Sequence, residues 1–120
     1  MRLSDAERKI MELVWTEEGI TATEISRRLA QEIGWKKTTA YTMVSICIQK
    51  GYLRKENPQY RCYSRISRQQ VVDCEVNALI SSSYNNMPDL LVASLVSSKK
   101  ISPSQLARIN EVIRKLEEEK

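Results

Sequence analysis

The chain has 120 residues, of which 42% are hydrophobic and 28% charged, and its formal net charge is +4. These values are ordinary for a globular protein of one or two small domains. The sequence contains no histidine, which excludes imidazole-based catalysis and most zinc sites, and its three glycines and three prolines favour helices over a many-turned β architecture.

The remaining composition predicts a cytoplasmic protein without membrane insertion. No stretch approaches the roughly 20 apolar residues that span a bilayer, and the polar opening MRLSDAERK does not resemble a signal peptide. The three cysteines, Cys47, Cys62 and Cys74, are odd in number and lack CxxC spacing, so we expect buried free thiols. No cofactor and no metal site is expected.

Three helices are predicted within the first 50 residues. Two capping boxes, Ser4–Glu7 and Thr21–Glu24, precede apolar residues at helical spacing and should begin the first two helices. The third helix is predicted over about residues 37–50. Glycines follow the three helices as stop signals: Gly19, Gly34 and Gly51.

One face of the predicted third helix is polar but nearly uncharged. An ordinary solvent-facing helix would carry more lysine and glutamate, whereas short hydroxyl side chains suit close approach to another surface. An ordinary exposed face is the alternative interpretation. At about 100° per residue, the members of this face are Thr38, Tyr41, Thr42, Ser45 and Gln49.

A basic hairpin is predicted after the third helix. Its strands lie around Tyr52–Lys55 and Gln59–Tyr63, with the turn signal Asn57-Pro58 between them. Residues 36–65 hold seven basic side chains against one acidic residue, Glu56, a balance that attracts a phosphate backbone unless the charges are simply solvated. The basic residues are Lys36, Lys37, Lys50, Arg54, Lys55, Arg61 and Arg65.

The second half of the chain is predicted to be helical over residues 68–83, about 89–97, and from 103 onward. The middle segment, DLLVASLVS, is apolar nearly all round. These helices have too little core among themselves, so we expect them to pair with a second copy of the chain. The residues expected at that dimer interface are Val72, Val76, Leu79, Leu91, Leu95, Leu106, Ile109 and Ile113.

The predicted fold is therefore mainly α. A winged helix-turn-helix domain over residues 1–66, with three helices and a two- or three-stranded β wing, is followed by a helical dimerisation domain over residues 67–120. Trp15 and Trp35 are expected in the core or at helix junctions rather than as platforms for base stacking.

Three stretches resemble the penicillinase-repressor family, which includes β-lactam-responsive and copper-responsive repressors. They are LSDAERKIMELVW at 3–15, GWKKTTAYTMVSICIQKGYL at 34–53 and RCYSRIS at 61–67. The resemblance implies a homodimer that binds a palindromic operator and represses transcription. The β-lactam branch of the family also implies that the repressor is released from DNA through a membrane sensor-protease pathway, which cleaves the dimerisation half. In this chain the cleavage would fall near Ser94-Leu95. The alternative interpretation of these two residues is a packed helix segment.

The chain departs from the pattern of this family at several positions. Tyr41 stands where an arginine is usual, and Ile46-Cys47 stands where an Arg-Leu pair is usual. Ser94-Leu95 replaces the Asn-Phe pair of relatives. No cysteine follows Cys74, so the terminal cysteine motif of the copper-responsive branch is missing from the sequence and copper release is not expected.

The helix face, the basic hairpin and the resemblance together predict contacts with double-stranded DNA. A winged helix that binds proteins without sequence-specific DNA binding is the alternative, and an enzyme is not expected, since the sequence lacks a nucleophile motif and a glycine-rich phosphate loop. The predicted DNA-binding residues are Lys36, Lys37, Thr38, Thr39, Tyr41, Thr42, Ser45, Arg54, Lys55, Arg61 and Arg65.

Overall fold

The computed structural model describes residues 1–119 and is mainly helical, with one small antiparallel sheet after the third helix. It forms two compact units, Met1–Val76 and the residues from Asn77 onward, and the division falls inside the fourth helix. In chain order the elements are α1 (Asp5–Thr16), α2 (Ala22–Ile33), α3 (Lys37–Gln49), β1 (Leu53–Glu56), β2 (Arg61–Ser64), α4 (Arg68–Ser83), α5 (Pro88–Ser97) and α6 (Pro103–Glu118).

Helices α1 and α6 begin with complete capping boxes. The Ser4 hydroxyl accepts from the Glu7 amide at 3.1 Å, and the Glu7 carboxylate accepts from the Ser4 amide at 2.8 Å. Ser102 and Gln105 repeat this arrangement at 3.2 and 2.8 Å. Each box satisfies two backbone donors that have no partner inside the helix, so the sequence signal fixes both helix starts.

Helix α2 begins with only half of the predicted box. The Thr21 hydroxyl accepts from the Glu24 amide at 3.1 Å, but the Glu24 carboxylate binds the guanidinium groups of Arg27 and Arg28 instead of the Thr21 amide. These two hydrogen bonds are the main reason that the pKa of Glu24 falls to about 2. At the other end, Gly34 takes the left-handed conformation, with φ of 72°, that closes the helix as predicted.

The core of the first unit draws on α1, α2, α3, both strands and the first turn of α4. Their apolar faces meet because the helical spacing places them on one side of each helix. Trp15 and Trp35 are partly buried and pack against this core. Its buried members include Ile10, Met11, Val14, Ile25, Leu29, Val44, Cys47, Leu53, Cys62 and Val71.

The sheet is a two-stranded hairpin with a short backbone segment along its second edge. Strands β1 and β2 pair antiparallel from Leu53 opposite Ser64 to Glu56 opposite Arg61. On the other edge of β2, the Cys62 amide donates to the Ile20 carbonyl at 2.8 Å. The segment before α2 therefore covers the free edge of the hairpin.

The start of α4 is bound to α1 by a hydrogen bond, a cation–π contact and an ion pair. The Trp15 indole N–H donates to the Ile66 carbonyl at 2.8 Å, and the Arg68 guanidinium lies 5.3 Å from the Trp15 ring centre and 2.6 Å from a Glu12 carboxylate oxygen. Val71 is fully buried in the first unit. Val72 and Val76, which are predicted dimer-interface residues, are exposed on the same helix.

The second unit has no closed core within residues 77–119. No side chain in this range is fully buried, and large apolar side chains on α4, α5 and α6 are exposed. None of the helices from residue 1 to 119 has both the length and the apolar character that crossing a bilayer requires. The exposed apolar side chains of this unit are Leu79, Met87, Leu90, Val92, Val96, Ile109, Val112, Ile113 and Leu116.

Candidate nucleic-acid interface

The outer face of α3 presents a ridge of short polar side chains. Ala40, Val44 and Cys47 point into the core and are fully buried. The opposite side of the helix is consequently turned to solvent, as the helical spacing predicts. The side chains exposed there are Thr38, Thr39, Thr42, Ser45 and Gln49.

The start of α3 differs chemically from the starts of α1, α2 and α6. Its N-cap residue is Lys36, whose side chain makes no capping hydrogen bond, and its first turn contains no acidic residue. The other three helices have a side-chain cap from serine or threonine. The free amides at the N-terminus of α3, beside Lys36 and Lys37, therefore favour an anionic partner.

Ion pairing divides the predicted basic residues into two groups. Lys50 pairs with Glu7 at 2.6 Å and Arg54 pairs with Glu56 at 2.7 Å. Arg61 donates to the Gly19 carbonyl at 3.0 Å, so its guanidinium is held by the α1–α2 loop. Within residues 1–119, the following exposed cations have no carboxylate partner within 4.0 Å: Lys36, Lys37, Lys55 and Arg65.

Tyr41 is held by three neighbours. Its hydroxyl lies 2.9 Å from the Thr23 hydroxyl at the start of α2, and its ring meets the Tyr60 ring edge-on with centroids 5.9 Å apart. The Lys37 ammonium lies 5.7 Å from the Tyr41 ring centre. Tyr41 thus connects α3 to both α2 and the hairpin, which the sequence analysis did not predict.

The hairpin holds cations over its aromatic rings on both faces. The Arg54 guanidinium lies 4.3 Å from the Tyr63 ring centre, and the Lys55 ammonium lies 4.9 Å from the Tyr60 ring centre. Burial is the main reason that the pKa of Tyr60 is raised. The sequence analysis did not predict these stacks, although the basic and aromatic residues that interleave along the hairpin could have indicated them.

A buried carboxylate fixes the end of α3 against α1. Glu7 is 2% exposed, and its carboxylate accepts from the Lys50 ammonium at 2.6 Å. Burial raises the pKa of Glu7, but the hydrogen bonds from Lys50 and Ser4 outweigh that effect, so the net pKa lies below its ordinary value of 4.5. Sequence analysis identified Glu7 only as a capping residue, since nothing local links it to a lysine 43 positions away.

The predicted dimer-interface residues divide by exposure. Leu91, Leu95 and Leu106 are half-buried. Ser94 and Leu95, the predicted cleavage position, lie inside the regular helix α5, where the Ser94 hydroxyl accepts from the Tyr84 hydroxyl at 3.3 Å. The exposed members of the predicted interface are Val72, Val76, Leu79, Ile109 and Ile113.

The sequence matches a known family over nearly its whole length. The family model of the penicillinase repressor matches residues 3–115. The chain belongs to the penicillinase repressor family. This confirms the resemblance seen in the sequence, and, because the family consists of repressors, it also confirms that the chain is not an enzyme.

Two relatives show how far this family member has diverged. The penicillinase repressor of Bacillus licheniformis is 26% identical over 121 residues, which cover 99% of this chain and 92% of that protein. The methicillin resistance regulatory protein MecI of Staphylococcus aureus (strain N315) is 20% identical over 115 residues, 94% of each chain.

Two solved structures match this penicillinase repressor homologue over 57% of its length. The DNA binding domain of the repressor BlaI aligns with a TM-score of 0.50 at 26% identity, covering 90% of that chain. The monomeric form of Bacillus licheniformis BlaI in complex with the blaP half-operator aligns with a TM-score of 0.50 at 28% identity, covering 87% of that chain. The likeness confirms the predicted winged helix-turn-helix fold.

Proposed function

We propose that this chain is a dimeric transcriptional repressor that binds a palindromic DNA operator. The observation that carries the proposal is the arrangement on the first unit. The short polar ridge of α3 is exposed, and cations without carboxylate partners lie at its start and on the adjoining hairpin. The solved relative that contains a half-operator has the same fold, which supports DNA as the partner.

In the proposed complex, α3 enters the major groove and the basic groups hold the backbone. Thr38, Thr42 and Ser45 are short enough to let the helix approach base edges closely, while the lysines at the start of α3 bind phosphate. Arg54, Lys55 and Arg65 bind the backbone from the hairpin side. The proposed DNA-contacting residues are Lys36, Lys37, Thr38, Thr39, Thr42, Ser45, Arg54, Lys55, Arg61 and Arg65. Tyr41, the remaining predicted residue, lies beside them between α3 and the hairpin.

Binding of double-stranded DNA by the purified chain at several salt concentrations tests this surface. The affinity should fall with a log–log slope of about −0.9 for each phosphate contact. Changing both Lys36 and Lys37 to glutamine should make the slope less negative by about one to two per subunit. A matched control is Lys99→Gln with Lys100→Gln, two exposed lysines of the second unit, which should leave the slope unchanged.

The exposed apolar side chains of the second unit support dimerisation. Exposed valine, leucine and isoleucine side chains recur along α6, and two-fold pairing is the commonest way to bury such a face. A symmetric dimer would present two copies of α3 to two half-sites, which is why a palindrome is proposed. Because DNA is the proposed partner, we propose the cytoplasm as the location of this activity.

A charge placed on the α6 face tests the dimer. Ile113→Asp should convert dimers to monomers in sedimentation experiments and weaken operator binding, because a carboxylate would be buried without a partner. Asn110→Asp adds the same charge to the same helix at an exposed polar position and should leave the dimer intact. Leu91 and Leu95 are poorer test positions, since they already pack within the unit.

The alternative, a winged helix that binds proteins alone, makes a different prediction. A mobility shift with total genomic fragments should then show no binding at any salt concentration. Sequencing of the fragments that the chain retains distinguishes a repressor with a defined operator from a protein that binds DNA without sequence preference.

Release through a sensor-protease signal such as β-lactam is part of the proposal. Cleavage between Ser94 and Leu95 would require the protease to unwind a turn of α5, since both residues lie within that helix and are half-buried. Immunoblots of cells exposed to a β-lactam should then show a fragment ending near residue 94. An intact chain under full induction would contradict this route and leave the DNA-binding proposal standing.

A further inference from the structure

Four side chains connect the start of α3 with the hairpin in an unbroken series. The Lys37 ammonium lies 5.7 Å from the centre of the Tyr41 ring. The Tyr41 ring meets the Tyr60 ring edge-on, with 5.9 Å between the ring centres. The Lys55 ammonium lies 4.9 Å from the centre of the Tyr60 ring. Both lysines are exposed and, within residues 1–119, make no ion pair. A cation over a ring keeps its N–H donors available for oxygen acceptors.

The backbone at Tyr60 indicates that its ring is needed there. Tyr60 has φ of 55°, in the left-handed region that glycine and asparagine adopt readily and bulky residues rarely do. The hairpin therefore has a bulky aromatic residue at a position where the backbone conformation favours glycine or asparagine. The ring makes the contacts to Tyr41 and Lys55.

The surroundings of Tyr41 give the same indication. Its hydroxyl is engaged by Thr23 and its ring by Tyr60 and Lys37, so the side chain is occupied by intramolecular partners on three sides. A side chain that reads a base edge needs a free donor or acceptor pointing into the groove.

We propose that the tyrosine pair, Tyr41 and Tyr60, positions Lys37 and Lys55 as two phosphate clamps by fixing the hairpin against the recognition helix. Tyr41 is a positioning residue in this arrangement and does not read a base. The inference rests on the DNA-binding function proposed above. It assigns Tyr41 to the alignment of α3 with the hairpin.

The test is a salt titration of DNA binding with the full chain and a fluorescent mixed-sequence duplex. Tyr60→Asn and Tyr60→Leu remove the ring, and Asn also suits the left-handed backbone. Both should weaken binding by up to about tenfold at low salt and make the log–log slope less negative by about one per subunit. Tyr60→Phe keeps the ring and should retain the wild-type slope, and thermal unfolding reports whether each variant is folded.

A second readout separates positioning from base reading. Tyr41→Phe keeps the ring and removes only the hydroxyl, so the set of genomic fragments retained should be the same as for wild type. Altered fragment selection by Tyr41→Phe would overturn the positioning role. Wild-type slopes in folded Tyr60→Asn or Tyr60→Leu would overturn the clamp, whereas wild-type protein that binds no DNA would overturn the proposed function itself.

Discussion

The two units of the molecule treat their apolar side chains in opposite ways. The first unit buries isoleucine, methionine and valine from three helices so completely that many have no exposed surface. The second unit has helices of similar length, but no side chain from residue 77 to 119 is fully buried. The first unit has the closed core of an independently folding domain. The second unit leaves apolar side chains exposed, and this exposure is the basis of the proposed dimer.

The largest expected effect compares one residue type across the two units. Ile10→Ala in the first unit should lower the free energy of unfolding by about 2–5 kcal/mol, because the side chain is fully buried. Ile113→Ala in the second unit, where the side chain is 48% exposed, should leave the unfolding of the first unit unchanged and raise the dissociation constant of the proposed dimer. Urea denaturation and sedimentation measure the two quantities. Equal losses of unfolding free energy would mean that the second unit is closed without a partner.

A smaller effect is expected at the buried carboxylate of the first unit. Glu7→Ala should lower the free energy of unfolding by about 1–3 kcal/mol, because it removes a capping hydrogen bond and the ion-pair partner of Lys50. The Lys50 side chain is half-exposed, which limits the loss. Because the folded pKa of Glu7 is lowered, its stabilising contribution is present above the ordinary pKa of 4.5 and is lost as the pH falls below it. Denaturation measured from pH 7 downward should show this loss in wild type and a flatter profile in Glu7→Gln. Identical profiles would contradict the assignment.

The two complete capping boxes offer a matched comparison of the units. Ser4→Ala and Ser102→Ala each remove one capping hydrogen bond, worth about 1 kcal/mol. In the first unit the loss should appear in global unfolding, because α1 packs into the closed core. In the second unit the loss of the Ser102 cap should appear as faster hydrogen exchange at the start of α6. This measurement uses Ile113→Asp, the variant expected to be monomeric. Global loss from both variants would show that the units unfold together.

The smallest expected effect concerns thiol reactivity and leaves stability unchanged. Burial raises the pKa of Cys47 to about 12 and that of Cys62 to about 11, and both thiols are fully buried. Cys74 is only half-buried. Alkylation at neutral pH with mass spectrometry should therefore modify Cys74 first, and modification of Cys47 or Cys62 should require unfolding. Rapid labelling of either core thiol in folded protein would contradict the closed core.

Local signals in the sequence were sufficient to predict the helices. The Ser4 capping box and Gly34 in the left-handed conformation lie at the expected helix ends, α4 spans the predicted residues 68–83, and α6 begins at the predicted residue 103. The outward direction of the polar face of α3 also followed from helical spacing alone. These features depend on neighbours within four positions, which a single sequence records.

Long-range pairings were not predictable in the same way. Tyr41 meets Thr23 and Tyr60, each almost twenty positions away, and no periodicity links them. The burial of Val71 in the core of the first unit was not predicted, because the sequence pattern of α4 singled out Val72, Val76 and Leu79 for the dimer interface. The helix leaves one unit and enters the other, so a single helical pattern does not describe both ends.

Trp15 is fixed within the first unit, because its indole N–H donates to the Ile66 carbonyl and its ring lies against the Arg68 guanidinium. This position has a consequence for fluorescence measurements. Trp35 is the other tryptophan of the sequence, and it also lies in the first unit. Tryptophan emission therefore monitors that unit alone, whereas far-ultraviolet circular dichroism sees helices in both. Thermal unfolding curves from the two signals should have the same midpoint when the two units unfold together. A difference between the two midpoints measures how independently the units unfold.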